Sequence, residues 1–575
     1  MTRDDANLPS RRVLLGSAGA ALAVPLVGDQ LSAEQTVAPT RLLASLADLA
    51  RPAGAEGVGT RRGSLAAVVA SLPLAAQDYG VVGDGLTDDT RAVQAFLDLC
   101  AQMGGRIANF GALTVHITGP LRSRGVGIVF EPASYGGARA PGFVASGSGY
   151  TALTVLGSVA DFCVTLTGEG TVDIPEDGRI AGDRRPKING IAFGSDDEPF
   201  ALSTVRSVRV NNLAGFGIRH MQCWDSTFLS VSVERCGRED LYAFEVAGDA
   251  RRTCNETTWA RVHVEQAVGG AIRVDPGALS CSFLKIHSER AIAREGIPTW
   301  VLGGSCTYDS VRVSAMNPAA AVLAVIGNQT EFRNLRAEGG LHVTVDASGG
   351  SVNFHNPGAV LLPALNQNGL VNIVGGVVSV LGMGGGWNLT GCRVNRLEVG
   401  FMSPGVWSTL TGCSVGELAP QRGSDQGELV LNATRIENST ISGAGRLRGL
   451  HLLNNSRLIA KGGTLACVDQ FVNVDASSRI EGNLVLQRVV LRLAGTVTGN
   501  LTIRGPVHDA RASDNAVVGG TVAGWGPPTA PAAPGAWSVN LATSGGERTK
   551  EEQRPVIGWR YAAGAWRPVR MDIEG

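Results

Sequence analysis

From residue 200 onward an apolar anchor recurs along the chain, and the residues that follow it keep one pattern. The anchors Val205, Phe228, Trp259, Phe283, Tyr308 and Phe332 are separated by 23, 31, 24, 25 and 24 residues. After five of the six comes a pair of apolar positions spaced by two: Val208/Val210, Val231/Val233, Val262/Val264, Val311/Val313 and Leu335/Ala337. That alternation describes a strand with one buried face. A unit of this length holds one coil of three short strands. It is too short for a propeller blade and lacks the leucine pattern of a horseshoe repeat. One coil cannot bury its own apolar face, so successive coils must stack, and the chain is expected to be an all-β parallel solenoid. The segments Leu-Thr-Gly-Cys-Arg-Val at 389–394 and Leu-Thr-Gly-Cys-Ser-Val at 410–415 repeat after 21 residues, so the coil shortens toward the C-terminus. About 17 coils would fit the available length.

If the paired apolar positions point inward, the fourth and sixth positions after each anchor point outward. Rungs of a parallel sheet stack about 4.8 Å apart, so residues of equal phase form columns. The sixth-position column reads Asn211, Glu234, Glu265, Glu289, Ser314, Glu338, and the fourth-position column reads Arg209, Ser232, His263, His287, Arg312, Arg336. A third, at the second position, contributes Arg261 and Lys285. Stacked carboxylates repel one another unless cations lie beside them, and the His, Arg and Lys columns supply those. Two readings follow. One is a salt-bridged outer ladder or subunit interface. The other is a carbohydrate-cleaving groove, with Glu234, Glu265, Glu289, His263 and His287 as candidate catalytic groups and Arg261, Lys285, Arg312, Arg336 and Glu338 as candidate substrate contacts. Adjacent Glu sit near the roughly 5 Å of a retaining glycosidase pair, and Glu234 with Glu289 approach the roughly 6.5–9.5 Å of an inverting pair. In an elimination, His or Arg would take the proton beside a uronate carboxylate.

Upstream, Asp78-Tyr79-Gly80-Val81-Val82-Gly83-Asp84-Gly85-Leu86-Thr87-Asp88-Asp89-Thr90, followed by Ala92, Gln94 and Gly104-Gly105, carries its own signal. It predicts a strand over 78–82, a Gly-Asp-Gly turn, and a helix capped by Thr87, with Asp88 and Asp89 at its positive end. Val93, Phe96, Leu97 and Cys100 fall on one face of that helix, which would plug the open end of the solenoid. Asp84, Asp88 and Asp89 are therefore structural. This segment resembles the N-terminal signature of pectate-lyase-like proteins, except that Asn109 and Phe110 stand where the family places a Pro after Gly-Gly. The resemblance implies a right-handed parallel β-helix with an N-terminal capping helix. The polygalacturonase catalytic set and the calcium-site pattern of pectate lyases are not recognisable, so the resemblance implies the fold and not the catalyst.

The expected organisation is an N-terminal arm or export signal with linker at 1–77, the cap at 78–120, the β-helix at 121–526, a Pro-rich linker at 527–535, and a small C-terminal β element at 536–575. Ser10-Arg11-Arg12-Val13-Leu14-Leu15-Gly16 before an Ala-rich stretch resembles a twin-arginine export signal, while residues 34–77 resemble the lead-in of a phage tailspike. Val556–Tyr561 and Ala565–Arg567 predict a hairpin. With 50 basic and 51 acidic residues there is no footprint for nucleic acid, and no apolar run is long enough for a membrane span. The ten Cys, with no C-x-x-C pair, read as buried small hydrophobes. Asp196-Asp197-Glu198 reads as a solvated turn. His116, His220, His342, His355, His451 and His508 show no ligand spacing, and no metal or cofactor is expected.

Three functions remain open. The first is a homotrimeric tailspike-like protein of a virion tail that recognises, and in one form depolymerises, a bacterial surface polysaccharide, attached to other tail proteins through its arm. The second is a polysaccharide lyase or glycoside hydrolase secreted through the twin-arginine route. The third is a non-catalytic adhesin or structural fibre.

Overall fold

A computed structural model describes residues 59–60, 63–64, 73–131, 140–174, 180, 182–238, 240–249, 252–294, 296–363, 369–383, 386–399, 407–420, 425–432, 435–439, 446–468, 471–487, 490–504, 509–512, 517–518, 522–523, 537–538, 556–562 and 565–570. The chain divides into two compact units, Met1–Ser71 and Leu72–Gly575. In the first, Gly59–Thr60 and Gly63–Ser64 form an antiparallel pair. The twin-arginine segment and the Pro-rich linker lie outside the described residues.

The second unit is a right-handed parallel β-helix. Its strands from Leu74–Ala75 to Val522–Ala523 belong to one large sheet system in which strands of successive coils pair in parallel. The anchors stand opposite one another from coil to coil: Val205 with Phe228, Phe228 with Trp259, Trp259 with Phe283, Phe283 with Tyr308, and Tyr308 with Phe332. The register continues through Phe354, Ile373, Leu389 and Leu410, so the two Leu-Thr-Gly-Cys segments lie one rung apart. The longest step, Phe228 to Trp259, contains two antiparallel bridges, Arg238 with Leu241 and Gly248 with Thr253.

From Phe228 to Phe354 the anchors form a continuous aromatic stack in the interior. Trp259 lies on Phe283 at 4.6 Å and 5°, Phe283 on Tyr308 at 5.0 Å and 6°, and Tyr308 on Phe332 at 4.8 Å and 10°. Rungs set the spacing, so side chains of equal phase have no choice but to meet their neighbours face to face. Each such pair contributes about 0.5–1.5 kcal/mol beyond the burial of its area. The Val208/Val210, Val231/Val233, Val262/Val264 and Val311/Val313 pairs are all buried, as is Leu335, and Ala337 packs against the core from a partly buried position. Every described Cys is buried and free, as its apolar setting predicts.

At the N-terminal end the expected helix is present as α1 (Thr90–Gln102), with Val93, Phe96, Leu97 and Cys100 buried. Its start differs from expectation. Residues Ala76–Tyr79 form a 3-10 turn, not a strand, and the strand is Asp84–Asp88, which contains Thr87. The capping position is Asp89, whose buried carboxylate turns away from the helix and accepts the Val82 and Gly83 amides at 2.9 and 2.8 Å. Two backbone donors in the loop outcompete the helix end for that carboxylate. Asp84 accepts the Leu86 and Thr87 amides and the Thr87 hydroxyl, and Asp88 accepts the Thr90 and Thr118 hydroxyls. These bonds hold both carboxyls below their ordinary range and leave all three acids structural. The parallel ladder begins before α1, where Leu74–Ala75 pairs with Ala108 and Asn109.

At the other end, Trp537–Ser538, Val556–Ala562 and Ala565–Arg570 form an antiparallel sheet, and Ala562 opposite Ala565 closes the expected hairpin.

Candidate functional site

The outward columns lie on strands β1 (Thr204–Asn211), β2 (Val231–Glu234), β3 (Val262–Glu265), β4 (Ile286–Ala291), β5 (Val311–Ala315) and β6 (Arg336–Ala337). Asn211, Glu234, Glu265 and Glu289 are direct partners across β1 to β4, and Arg209, Ser232, His263 and His287 stand beside them in the same register. The second column continues through Arg312 to Arg336. The Glu column does not continue. The β4–β5 register shifts between Ser288 and Ala291, where Arg290 takes a left-handed backbone at φ 54°, so Ser314 falls out of line with Glu289. The expected unbroken run to Glu338 is thus interrupted by one irregular rung.

The residue after each member of the run turns a left-handed corner: Asn212 at φ 57°, Arg235 at 50°, Gln266 at 50° and Arg290 at 54°. For non-glycine residues this costs about 1–2 kcal/mol each. The ladder offsets it, since the corner amides of Asn212, Arg235 and Gln266 donate to the carbonyls of Glu234, Glu265 and Glu289 at 3.0, 3.0 and 3.1 Å. The carboxylates therefore project from a fixed edge of the solenoid, a rigid placement of the kind a site requires.

The three acids occupy different surroundings. Glu234 lies 3.5 Å from Arg209 and 3.4 Å from Arg235, a second cation that the columns did not reveal because it belongs to the corner. Glu289 lies 3.6 Å from His263 and 3.5 Å from His287, whose rings stack at 5.2 Å. Glu265, between them, has no ion pair among the described residues. Arg261 and Lys285 are exposed at the strand entry. Arg312 donates to Glu338 at 2.7 Å, and that bond raises the guanidinium's affinity for its proton. The structure thus gathers the five candidate catalytic residues on one face, with Arg312 and Arg336 continuing the His column, and ties Glu338 to Arg312. Neighbouring rungs about 4.8 Å apart suit two carboxylates acting as a pair.

Other polar groups have structural work. Glu198 pairs with Arg122 and Arg124, and Asp196 lies 3.7 Å from Arg252, so the Asp196-Asp197-Glu198 turn is tied down by cations distant in sequence. His220 is wholly buried, receiving the Trp259 indole N–H on Nε2 and hydrogen-bonding the Glu245 carbonyl through Nδ1. Trp224 had no sequence signal. It is 37% exposed beside the corner at Leu202, with its N–H donated to the Thr253 carbonyl.

The chain resembles a phage capsule depolymerase. It is 29% identical over 231 residues to "Depolymerase 1, capsule KN3-specific" of Klebsiella phage KN3-1, a match covering 38% of this chain and 28% of that protein. The chain thus matches under a third of that relative's length. No family profile matches. Among solved structures, ORF18 of Geobacillus virus E2 is 9% identical with a TM-score of 0.24, covering 87% of this chain and 72% of that one. The Streptococcus pneumoniae surface adhesin PfbA is 10% identical with a TM-score of 0.21, covering 87% and 99%. The A-module of the Azotobacter vinelandii mannuronan C-5 epimerase AlgE4 is 13% identical with a TM-score of 0.22, covering 79% and 98%. At these scores the likenesses carry no weight for this chain, whose fold rests on its own ladder. Among the described residues no helix is long and apolar enough to cross a membrane.

Proposed function

We propose that this chain recognises and depolymerises a bacterial capsular or other surface polysaccharide as a tailspike-like homotrimer in a phage virion tail. The similarity to a capsule depolymerase carries this reading. The Glu234, Glu265, Glu289, His263 and His287 face is its candidate site, because an outward run of acids on consecutive rungs presents carboxylates along the path of an extended glycan. Glu265 is the reacting carboxylate, since no described cation engages it, and Glu289 is its partner on the next rung. Arg261 and Lys285, exposed alongside, meet the acidic groups of the glycan.

The test is incubation of the full chain with purified capsular polysaccharides, following reducing ends and the absorbance of unsaturated uronate in parallel. New reducing ends without absorbance indicate hydrolysis, and both together indicate elimination. Binding without new ends on any capsule would overturn depolymerisation and favour an adhesin. Sedimentation of the intact chain tests the trimer.

A further inference from the structure

We infer that His263, His287 and Glu289 form a binding site for a divalent transition-metal ion of the Zn2+ class, bridging two coils of the solenoid. No metal is expected from the sequence, where His116, His220, His342, His355, His451 and His508 show no ligand spacing and His263 and His287 lie 24 residues apart. The fold removes that separation. His263 and His287 are direct partners on β3 and β4, and Glu289 follows His287 by two residues on the same outward face. One ligand atom from each of the three lies within 4.8 Å of the others.

The two imidazoles meet different oxygens of Glu289, Oε1 with His263 at 3.6 Å and Oε2 with His287 at 3.5 Å, and both contacts are long for hydrogen bonds. Ligands that share a tetrahedral ion at about 2.0–2.1 Å each stand roughly 3.3–3.5 Å apart, closer than the 4.8 Å that bounds this set, so an ion would draw the three side chains inward. Because its contact with Glu289 exceeds hydrogen-bonding distance, the buried Nε2 of His263 is left without a hydrogen-bond partner among the described residues. A buried imidazole nitrogen left unsatisfied costs free energy, and a metal ion accepts its lone pair directly. Two nitrogens and one carboxylate oxygen suit Zn2+, Co2+ or Ni2+ and do not suit Ca2+ or Mg2+, which prefer all-oxygen shells. The side chain of Glu289 is 40% exposed, so the remaining coordination positions open to water or to a glycan hydroxyl or carboxylate. Both strands are rigid rungs, so little ordering is needed on binding.

The inference stands independently of the depolymerase reading, and its test does not use activity. The full chain, stripped with a chelator and dialysed, is titrated with Zn2+ by calorimetry and with Co2+ by visible absorption. One equivalent per chain is expected, with the intense Co2+ bands of a low-coordinate N/O site and a rise in Tm. His287→Ala and Glu289→Gln should each weaken binding at least about tenfold, and His263→Ala with His287→Ala together about 100-fold or more, with far-UV circular dichroism unchanged. Absence of binding by the wild-type chain, or Zn2+ affinity unaltered in the double variant, would overturn the site. If Zn2+ binds as described and no polysaccharide is cut, the metal site stands and the depolymerase reading falls.

Discussion

Glu265 and Glu289 stand directly opposite one another on adjacent rungs, yet Glu289 faces two imidazoles while Glu265 has no described cation against it. The same β geometry thus places two identical side chains in unlike electrostatic settings, the condition under which a carboxylate pair divides its labour. Glu265→Gln is accordingly expected to abolish polysaccharide cleavage while changing stability by less than about 1 kcal/mol, because a partly exposed side chain with no ion pair among the described residues contributes little to folding. Reducing-end release and thermal melts on the same preparation check both halves. Retained cleavage would remove Glu265 from the site.

One residue earlier the outcome reverses. Val264 is wholly buried between Val233 and Ser288 of the neighbouring coils. Val264→Asp places an unpaired carboxylate inside a coil whose interior offers apolar side chains, and a loss of several kcal/mol is expected. Soluble yield and urea unfolding measure it, and a normally stable variant would contradict the inward assignment.

Burial presses the His220 imidazole down to about 3, from an ordinary value of 6.5. The folded value lies below the unfolded one, so the unfolded chain takes up the proton first. The contribution of neutral His220 is complete above about pH 6.5 and is lost as pH falls from there toward 3, at up to about 1.4 kcal/mol per pH unit. His220→Gln can still accept the Trp259 N–H and does not titrate. Stability measured between pH 7 and pH 4 should therefore fall less steeply in this variant than in the wild type, and equal slopes would contradict the neutral, buried ring.

Leu202 turns its corner at φ 52° with its side chain 72% exposed. Asn tolerates this conformation and Val does not. Leu202→Asn should melt at or above the wild-type temperature, and Leu202→Val should lose about 1–2 kcal/mol. Equal melting of the two would show that the corner relaxes.

Much of the solenoid is legible without coordinates, for a definite reason. In a parallel β-helix the inward or outward direction of a side chain follows from its phase within the coil, and phase is a property of spacing alone. The anchors from Val205 to Phe332, the Val pairs, and the in-register run from Asn211 to Glu289 could therefore be placed by counting. The capping helix was equally visible through its amphipathic face. Counting fails where the backbone leaves the regular ladder. The strand before α1, the true capping role of Asp89, and the shift after Ser288 all depend on competition among backbone donors and acceptors that only the folded chain brings together.

The sequence by itself determined a coiled stack with apolar pairs facing inward and a Glu run beside a His run outside, because periodicity dictates both. Only the tertiary structure decided what each acid meets. Arg235 reaches Glu234 from a left-handed corner, Glu289 lies against two stacked His from different coils, and Glu265 between them has no ion pair among the described residues. Those outcomes turn on corner geometry and on side-chain reach across rungs, and a repeat length encodes neither.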